Sequence, residues 1–343
     1  MKLSEFDYQL PKALIASTPP AKRDDARLLV IDKTSDTFQH SQITALPHLL
    51  RSGDLLVLNN TKVIPARLFA TRPGGGSVEL LLTESQDHLH FLALARPAKR
   101  LSAFMRLRVA SGFDVEVEKV CGDGFFLVRL ITDDVLAALD RHGHVPLPPY
   151  IDRQETLADR ERYQTIFARI PGSSAAPTAG LHFTPELLSQ LRAQGIACTE
   201  LTLHVGPGTF LPVRQQAEDD ISKHVMHREK FSLPQACVEM IAQTRVTKGR
   251  VIAVGTTVVR TLESVCQQYG ELIPCEGSTQ LFIAPGFQFR VVNGMVTNFH
   301  LPRSTLLILV SAFAGVGRMR AAYEEAIRSR YRFFSYGDAC LIV

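Results

Sequence analysis

Cysteine is scarce in this chain and scattered. Cys121, Cys198, Cys237, Cys266, Cys275 and Cys340 include no Cys-x-x-Cys pair, which argues against a zinc ribbon and a dithiol redox site. Thiols spread this thinly read as small core residues of a reducing compartment. Long hydrophobic runs are missing too: the longest, Leu306 to Ala314, is too short to cross a bilayer. The N-terminus, Met1-Lys2-Leu3-Ser4-Glu5-Phe6-Asp7, turns acidic at once and has no apolar signal core. A cytoplasmic location without a membrane partner is expected. Charge of one sign is not in large excess either: 38 Lys and Arg against 34 Asp and Glu leave a net +4. That balance permits an RNA partner without demanding one. There is no internal repeat and no low-complexity tract.

What is present is apolar substance. The 343 residues are 45% hydrophobic, enough for sizeable cores and, by length, for two domains. In the leading segment Phe6, Leu10 and Leu14 share one helical face, interrupted by Pro11. Arg27 to Ile31 and Asp54 to Leu58 read as strands. From about 66 to 147 the texture changes to short strand-like runs at regular spacing: Val78 to Leu82, Leu89 to Leu94, Arg106 to Val109, Asp114 to Val117 and Phe125 to Leu130. That pattern predicts a small barrel or sandwich. After 150 the texture is α/β. Thr184 caps a helix with Pro185 at its first position and Gly195 at its end. A strand follows from Ile196 to Val205, and another from Arg250 to Val254. A helix runs from Val258 to Tyr269, stopped by Gly270, and Ser304 to Phe313 reads as an apolar helix. The fold class expected is an α/β catalytic domain, residues 1–64 and 151–343, into which a small closed β-barrel domain, residues 65–150, is inserted.

Three loops almost free of charge each hold a histidine and a phenylalanine. They are Pro177-Thr178-Ala179-Gly180-Leu181-His182-Phe183, Leu203-His204-Val205-Gly206-Pro207-Gly208-Thr209-Phe210 and Thr297-Asn298-Phe299-His300-Leu301-Pro302. Connecting loops tend to be polar; these carry a proton-active side chain beside an apolar ring, as a pocket for a small, partly aromatic ligand requires. Alone, each histidine is more often a hydrogen-bonded structural side chain. Three in one context point to proton transfer near neutral pH. Asn59-Asn60-Thr61-Lys62, the His204 loop, Gly255-Thr256-Thr257 and the His300 loop all follow predicted strands, so in one sheet they would converge on one crevice. Gly255-Thr256-Thr257 at a helix start offers N–H groups to a carboxylate or phosphate. His224-x-x-His227-x-Glu229 matches neither a zincin helix nor a zinc finger, and no metal is expected. Arg96-Pro97-Ala98-Lys99-Arg100, with Arg106 and Arg108, is either a solvated surface or a phosphate-contacting face.

Taken in order, these strings carry a resemblance. To them belong Asn59 to Arg67, Ala176 to Phe183, Leu203 to Phe210, His224-x-x-His227-x-Glu229, Gly255-Thr256-Thr257-x-x-Arg260-x-x-Glu263, Thr297 to Pro302 with Ser304, and Ser335-Tyr336-Gly337-Asp338-Ala339. The chain resembles, over nearly its whole length, the S-adenosylmethionine:tRNA ribosyltransferase-isomerase family of the bacterial queuosine pathway. The resemblance implies an α/β fold with an inserted barrel of the kind seen in translation proteins. It implies transfer and isomerisation of the ribosyl part of S-adenosylmethionine onto 7-aminomethyl-7-deazaguanine at the tRNA wobble position. The products would be epoxyqueuosine-tRNA, adenine and methionine. S-adenosylmethionine is then a consumed substrate, and no recycled cofactor is implied.

On this reading His182, His204 and His300 are the candidates for proton transfer. Glu229 and Asp338 are the carboxylates that offset the sulfonium or orient a histidine. Substrate contacts are expected from Asn59, Thr61, Lys62, Arg67, Thr178, Gly180, Phe183, Gly206, Gly208, Thr209, Phe210, His227, Thr256, Thr257, Arg260, Asn298, Phe299 and Tyr336. Arg260 or the Gly255-Thr256-Thr257 turn would hold the methionine carboxylate. Lys99, Arg100 and Arg106 would meet RNA, and a monomer is expected. Two rivals are weaker. An RNA methyltransferase calls for a Gly-rich turn after the first strand, where Asn59-Asn60-Thr61 stands instead. A non-catalytic RNA-binding module leaves the three histidine loops unexplained.

Overall fold

The structure, a computed structural model, describes all residues except 149, 152, 207–219, 222 and 223. Ahead of the barrel come β1 (Arg27–Ile31), β2 (Phe38–Gln42), α1 (Leu46–Leu49), β3 (Leu55–Asn59) and β4 (Thr61–Val63). The barrel follows: β5 (Arg67–Thr71), β6 (Ser77–Ser85), β7 (His90–Arg96), β8 (Arg106–Ala110), β9 (Phe113–Gly122) and β10 (Phe125–Ile131), then α2 (Val135–His142). The chain continues through α3 (Leu157–Arg162), β11 (Ile170–Ser173), α4 (Pro185–Ala193), β12 (Ala197–Leu203), β13 (Glu229–Leu233), α5 (Gln235–Val246) and β14 (Val251–Val254). It ends with α6 (Thr256–Tyr269), β15 (Cys275–Thr279), β16 (Gly294–Asn298), α7 (Thr305–Ala314), α8 (Val316–Arg328) and β17 (Ala339–Ile342).

Nine strands form one sheet in the order β15-β13-β12-β3-β14-β16-β17-β1-β2. Its centre, β12-β3-β14-β16, is parallel. β3 and β14 are nearly continuous apolar runs, as burial on both faces requires; β3, β14 and β16 are buried at every position. Helices α5 to α8 cover one face and α1 with α4 the other. The parallel strands therefore release their loops along one edge, where open α/β sheets gather ligands.

The barrel closes as β10-β7-β6-β5-β8-β9. Its strands alternate, β10 burying Phe126, Val128 and Leu130 and exposing their neighbours more, the period-2 pattern of a strand with one face inside. Ala138 and Leu139 of α2 join its core. Barrel and sheet are tied where Lys230 Nζ donates to Ser85 O at 2.6 Å.

Two expectations are corrected. Phe6, Leu10 and Leu14 do not share a helix: single 3₁₀ turns, Leu3–Phe6 and Lys12–Leu14, flank Pro11, whose missing N–H and fixed φ prevent continuation. The cysteines are not uniformly core either: Cys237, Cys266 and Cys340 are buried, but Cys121 is exposed. Among the described residues no single helix is long and apolar enough to cross a membrane.

Candidate functional site

A first cavity of about 410 Å³ opens at the carboxyl ends of β14 and β16. Helix α6 starts at once after β14 because Gly255 takes φ +93°, a turn unfavourable for a residue with a Cβ. No side chain caps α6, and Thr256 and Thr257 bring its first turn to the cavity. From β16 come Thr297 and Asn298, and from the loop that follows it Phe299 and His300. His300 is oriented by Thr297 Oγ1, 3.0 Å from its Nε2, and its backbone N–H donates to Tyr323 Oη at 2.9 Å. Burial pushes its pKa down to about 3. Thr178 arrives from the 3₁₀ turn Thr178–His182. Among the described residues no Asp, Glu, Lys or Arg lines this cavity.

His182 is not on that lining. Its Nε2 lies 3.1 Å from Asn298 Nδ2, so the ring stands behind Asn298. Burial lowers its pKa to about 4, against the opposing hydrogen bond that the ring donates to the backbone of Arg23. Phe183 is fully buried, edge-on to Phe167 at 6.3 Å, and packs in the core. Gly180 has no room for a side chain beside Phe167 and Thr165. Phe299 packs on Tyr323, Tyr331 and Phe333.

A second cavity, about 600 Å³, lies between the sheet and the barrel. Its lining includes Glu84, Asp87, Asp133, Asp134 and Glu229, against Arg228 and Lys230, with His88 and His204. The two cavities share a wall: Val205 faces the first, His204 and Gly206 the second. That wall is braced by Ser173 Oγ, which accepts from Val205 N at 2.9 Å, and by the Ala175–Val205 bridge. His204 Nδ1 lies 2.7 Å from Thr61 Oγ1. Its ring rests on Gly172, at φ +145°, where a Cβ would come within 2.9 Å of it. Burial first, then Lys230, lowers the His204 pKa.

Glu229 accepts from Gly206 N at 3.1 Å and pairs with the buried Arg260. Arg260 Nε and Nη1 have no hydrogen-bond partner among the described residues. Asn59 is fully engaged, donating to Leu203 O and Thr257 Oγ1 and accepting from Leu203 N and Thr61 N. Lys62 is exposed on β4. Arg67 pairs with Glu79 at 3.1 Å on the barrel, and His227 lies 6.0 Å from the Phe125 ring. Asp338 accepts from Arg27 N at 2.9 Å and Arg332 N at 2.7 Å, and burial raises its pKa. Tyr336 donates to Asp159 at 3.0 Å. Neither Asp338 nor Tyr336 lines either cavity. Gly208, Thr209 and Phe210 lie outside the described residues. Lys99 and Arg100 are exposed, while Arg106 and Arg108 share Asp114.

The sequence motifs do not reveal Tyr150 and Phe334, which line the first cavity beside Ser335. No motif marks Tyr150, and Phe334 betrays itself only in space, at φ +76° with its ring 4.2 Å from that of Tyr150. The acidic lining of the second cavity is equally hidden; the adjacent Asp133-Asp134 is its one visible signal.

Comparison with known proteins decides the family. A model of the queuosine biosynthesis protein family matches residues 3–342. The chain belongs to the queuosine biosynthesis family. Members of this family from Anaeromyxobacter dehalogenans (strain 2CP-C) and Azoarcus sp. (strain BH72) are each named S-adenosylmethionine:tRNA ribosyltransferase-isomerase. Each is 50% identical to this chain over its full length, covering 99% and 97% of the relative. A crystal structure of S-adenosylmethionine tRNA ribosyltransferase from Thermotoga maritima is similar over 99% of this chain and 100% of that one. Its TM-score is 0.58 at 36% identity. The α/β sheet with a closed barrel is thus the architecture of a family with a solved member.

Proposed function

We propose that this chain transfers and isomerises the ribosyl part of S-adenosylmethionine onto 7-aminomethyl-7-deazaguanine at the tRNA wobble position. The products are epoxyqueuosine-tRNA, adenine and methionine. The observation that carries this reading is the pair of cavities with one shared wall, His204–Gly206. The uncharged first cavity has the volume of a small-molecule site and takes the nucleoside. The acidic second cavity, at the barrel, takes the aminomethyl group of the RNA base, which is an ammonium ion at neutral pH. The enzyme acts as a monomer in the cytoplasm.

The chemistry needs a base, a home for the carboxylate and dry surroundings. A base removes the acidic proton on the ribose carbon next to the sulfonium. The electron pair left on that carbon forms a double bond to the neighbouring ring carbon, the ring C–O bond there breaks, and its oxygen forms a carbonyl at the glycosidic carbon as adenine leaves with the glycosidic pair. The aminomethyl nitrogen attacks the sugar, and ring closure expels methionine as a neutral thioether. His300, in the first cavity beside Thr297, acts on the sugar proton. His204, on the acidic side of the wall, takes the proton of the ammonium so that the amine can attack. The start of α6 binds the methionine carboxylate, since Arg260 already holds Glu229. Glu229 sets the charge near the second cavity.

The basic turn Ala98–Arg100 lies at the far end of β7 from cavity-lining Leu89. The seven residues of β7 span about 20 Å. Lys99 and Arg100 therefore suit stem phosphates, not the wobble base.

The test is product analysis with tRNA carrying the aminomethyl base. Adenine and methionine released in equal amounts support the reading. S-adenosylhomocysteine in their place would make the chain a methyltransferase, and tRNA binding without turnover would make it a binding module.

A further inference from the structure

One polar atom in the first cavity is buried and unsatisfied. Asn298 is 2% exposed, and its Oδ1 has no hydrogen-bond partner among the described residues. Its amide orientation is not left open. Nδ2 donates to Phe334 O at 3.0 Å and lies 3.1 Å from His182 Nε2. With the Arg23 backbone on its other side, the His182 ring presents Nε2 as an acceptor. A flipped amide would set Oδ1 against that acceptor and against the Phe334 carbonyl, so the flip is disfavoured. Asn298, a residue of the cavity lining, thus keeps an acceptor that no described residue satisfies. A buried acceptor without a partner costs stability and is retained where a ligand completes it.

The surroundings name the ligand group. Phe334 and Tyr150 form an aromatic wall on the same cavity, against which a flat heteroaromatic ring would lie. The Tyr163 hydroxyl, fully buried on the same lining, faces the backbone of Ala176 and the side chain of Ser335. A bare acceptor beside an aromatic wall matches the exocyclic N–H₂ on the edge of adenine. The opposite requirement, N–H groups for a carboxylate, is met at α6. We infer that Asn298 is the specificity-determining acceptor for the exocyclic amine of the adenine of S-adenosylmethionine, and that His182 is a positioning residue that locks its amide. This rests on the reading that the first cavity holds the nucleoside.

The experiment measures equilibrium binding without tRNA, so leaving-group chemistry does not enter. S-adenosylmethionine is compared with its analogue in which hydrogen replaces the 6-amino group, and with its 2′-deoxy and 3′-deoxy analogues. The wild-type protein should bind the 6-hydrogen analogue about tenfold more weakly, and Asn298→Ala should reduce that ratio to near one. His182→Ala should reduce it too, and His182→Gln, which can still accept from the amide, should restore it. No discrimination by the wild type overturns the inference even if the variants fail to fold. So does a ratio that survives Asn298→Ala, or dependence on Asn298 that falls on a deoxy analogue instead. A ratio that survives His182→Ala overturns the positioning role. Ala176→Leu, which adds volume to the lining, separates the two readings. Unchanged S-adenosylmethionine affinity in that variant would sink the cavity reading itself. Lost affinity there, with the ratio intact in Asn298→Ala, sinks only the present inference.

Discussion

The two cavities share a wall yet differ in kind. The first has no charged side chain among its described lining residues; the second is lined by Glu84, Asp87, Asp133, Asp134 and Glu229. The difference follows from where they sit. The first lies within the α/β layers, where burying an unpaired charge is costly, so recognition falls to Thr, Asn, His and backbone groups. The second lies between two independently formed cores, where loops of the barrel bring carboxylates that remain partly hydrated. The proposed division of labour rests on this contrast: an uncharged slot for a heteroaromatic nucleoside, and an acidic chamber for a cationic amine arriving on RNA.

The most severe way to break this contrast is at the wall. His204→Ala should slow methionine release in the presence of modified tRNA by about a hundredfold to ten-thousandfold, with S-adenosylmethionine affinity retained. If single-turnover rates stay near wild type in a folded variant, His204 moves no proton in the reaction. Glu229→Ala should be a stability lesion, because it strands the buried Arg260; about 3–5 kcal/mol is expected. Urea unfolding reads this out, and a loss below about 1 kcal/mol would mean that water already reaches the arginine.

Neutralising the chamber is milder. Asp133→Asn with Asp134→Asn should raise the KM for modified tRNA by about tenfold, the equivalent of ~1.4 kcal/mol, and leave S-adenosylmethionine binding alone. Equal effects on both substrates would abolish the division. The uncharged cavity has its own signature in pH. Burial holds His182 at about 4 and His300 at about 3, below the ~6.5 of the unfolded chain. Between those values the unfolded state binds more protons, so stability falls as pH drops from roughly 6.5 towards 4 and is flat above. A His300→Gln variant should show a shallower fall in its urea midpoint over that window; an unchanged slope would contradict a buried neutral ring. The smallest effect is expected at the barrel tip. Lys99→Ala with Arg100→Ala should reduce the slope of log affinity for tRNA against log salt by about 1–2. Arg106→Ala should do less, because Asp114 already neutralises it. A steeper effect from Arg106 would move the RNA face onto β8.

The barrel is largely legible in the amino-acid sequence, because its strands carry a period-2 alternation that needs no distant partner to be seen. That alternation marks β6 to β10; β5 is hidden by the Asn59-to-Arg67 string that runs into it. Thr184 does cap α4, accepting from Leu187 N at 3.1 Å, because a cap is a local event. β17 leaves no such mark: four apolar residues at the C-terminus join the sheet between β16 and β1 only through long-range pairing. The three histidine loops stand out as motifs, but their letters do not sort them. His300 and His204 face different cavities, His182 stands behind Asn298, and Phe183 is core. A string of letters records that a histidine is present, not which neighbour receives its nitrogen.

By itself the sequence determined the family, the strand-rich insertion and the loops in which the chemistry resides, since these rest on local order and on motifs. The tertiary structure alone decided that the loops enclose two chambers, that one is uncharged and the other acidic, and that Phe334 and Tyr150 complete the first. Those properties arise from residues far apart in the chain, and burial and hydrogen-bond geometry exist only once the strands have set the distances between them.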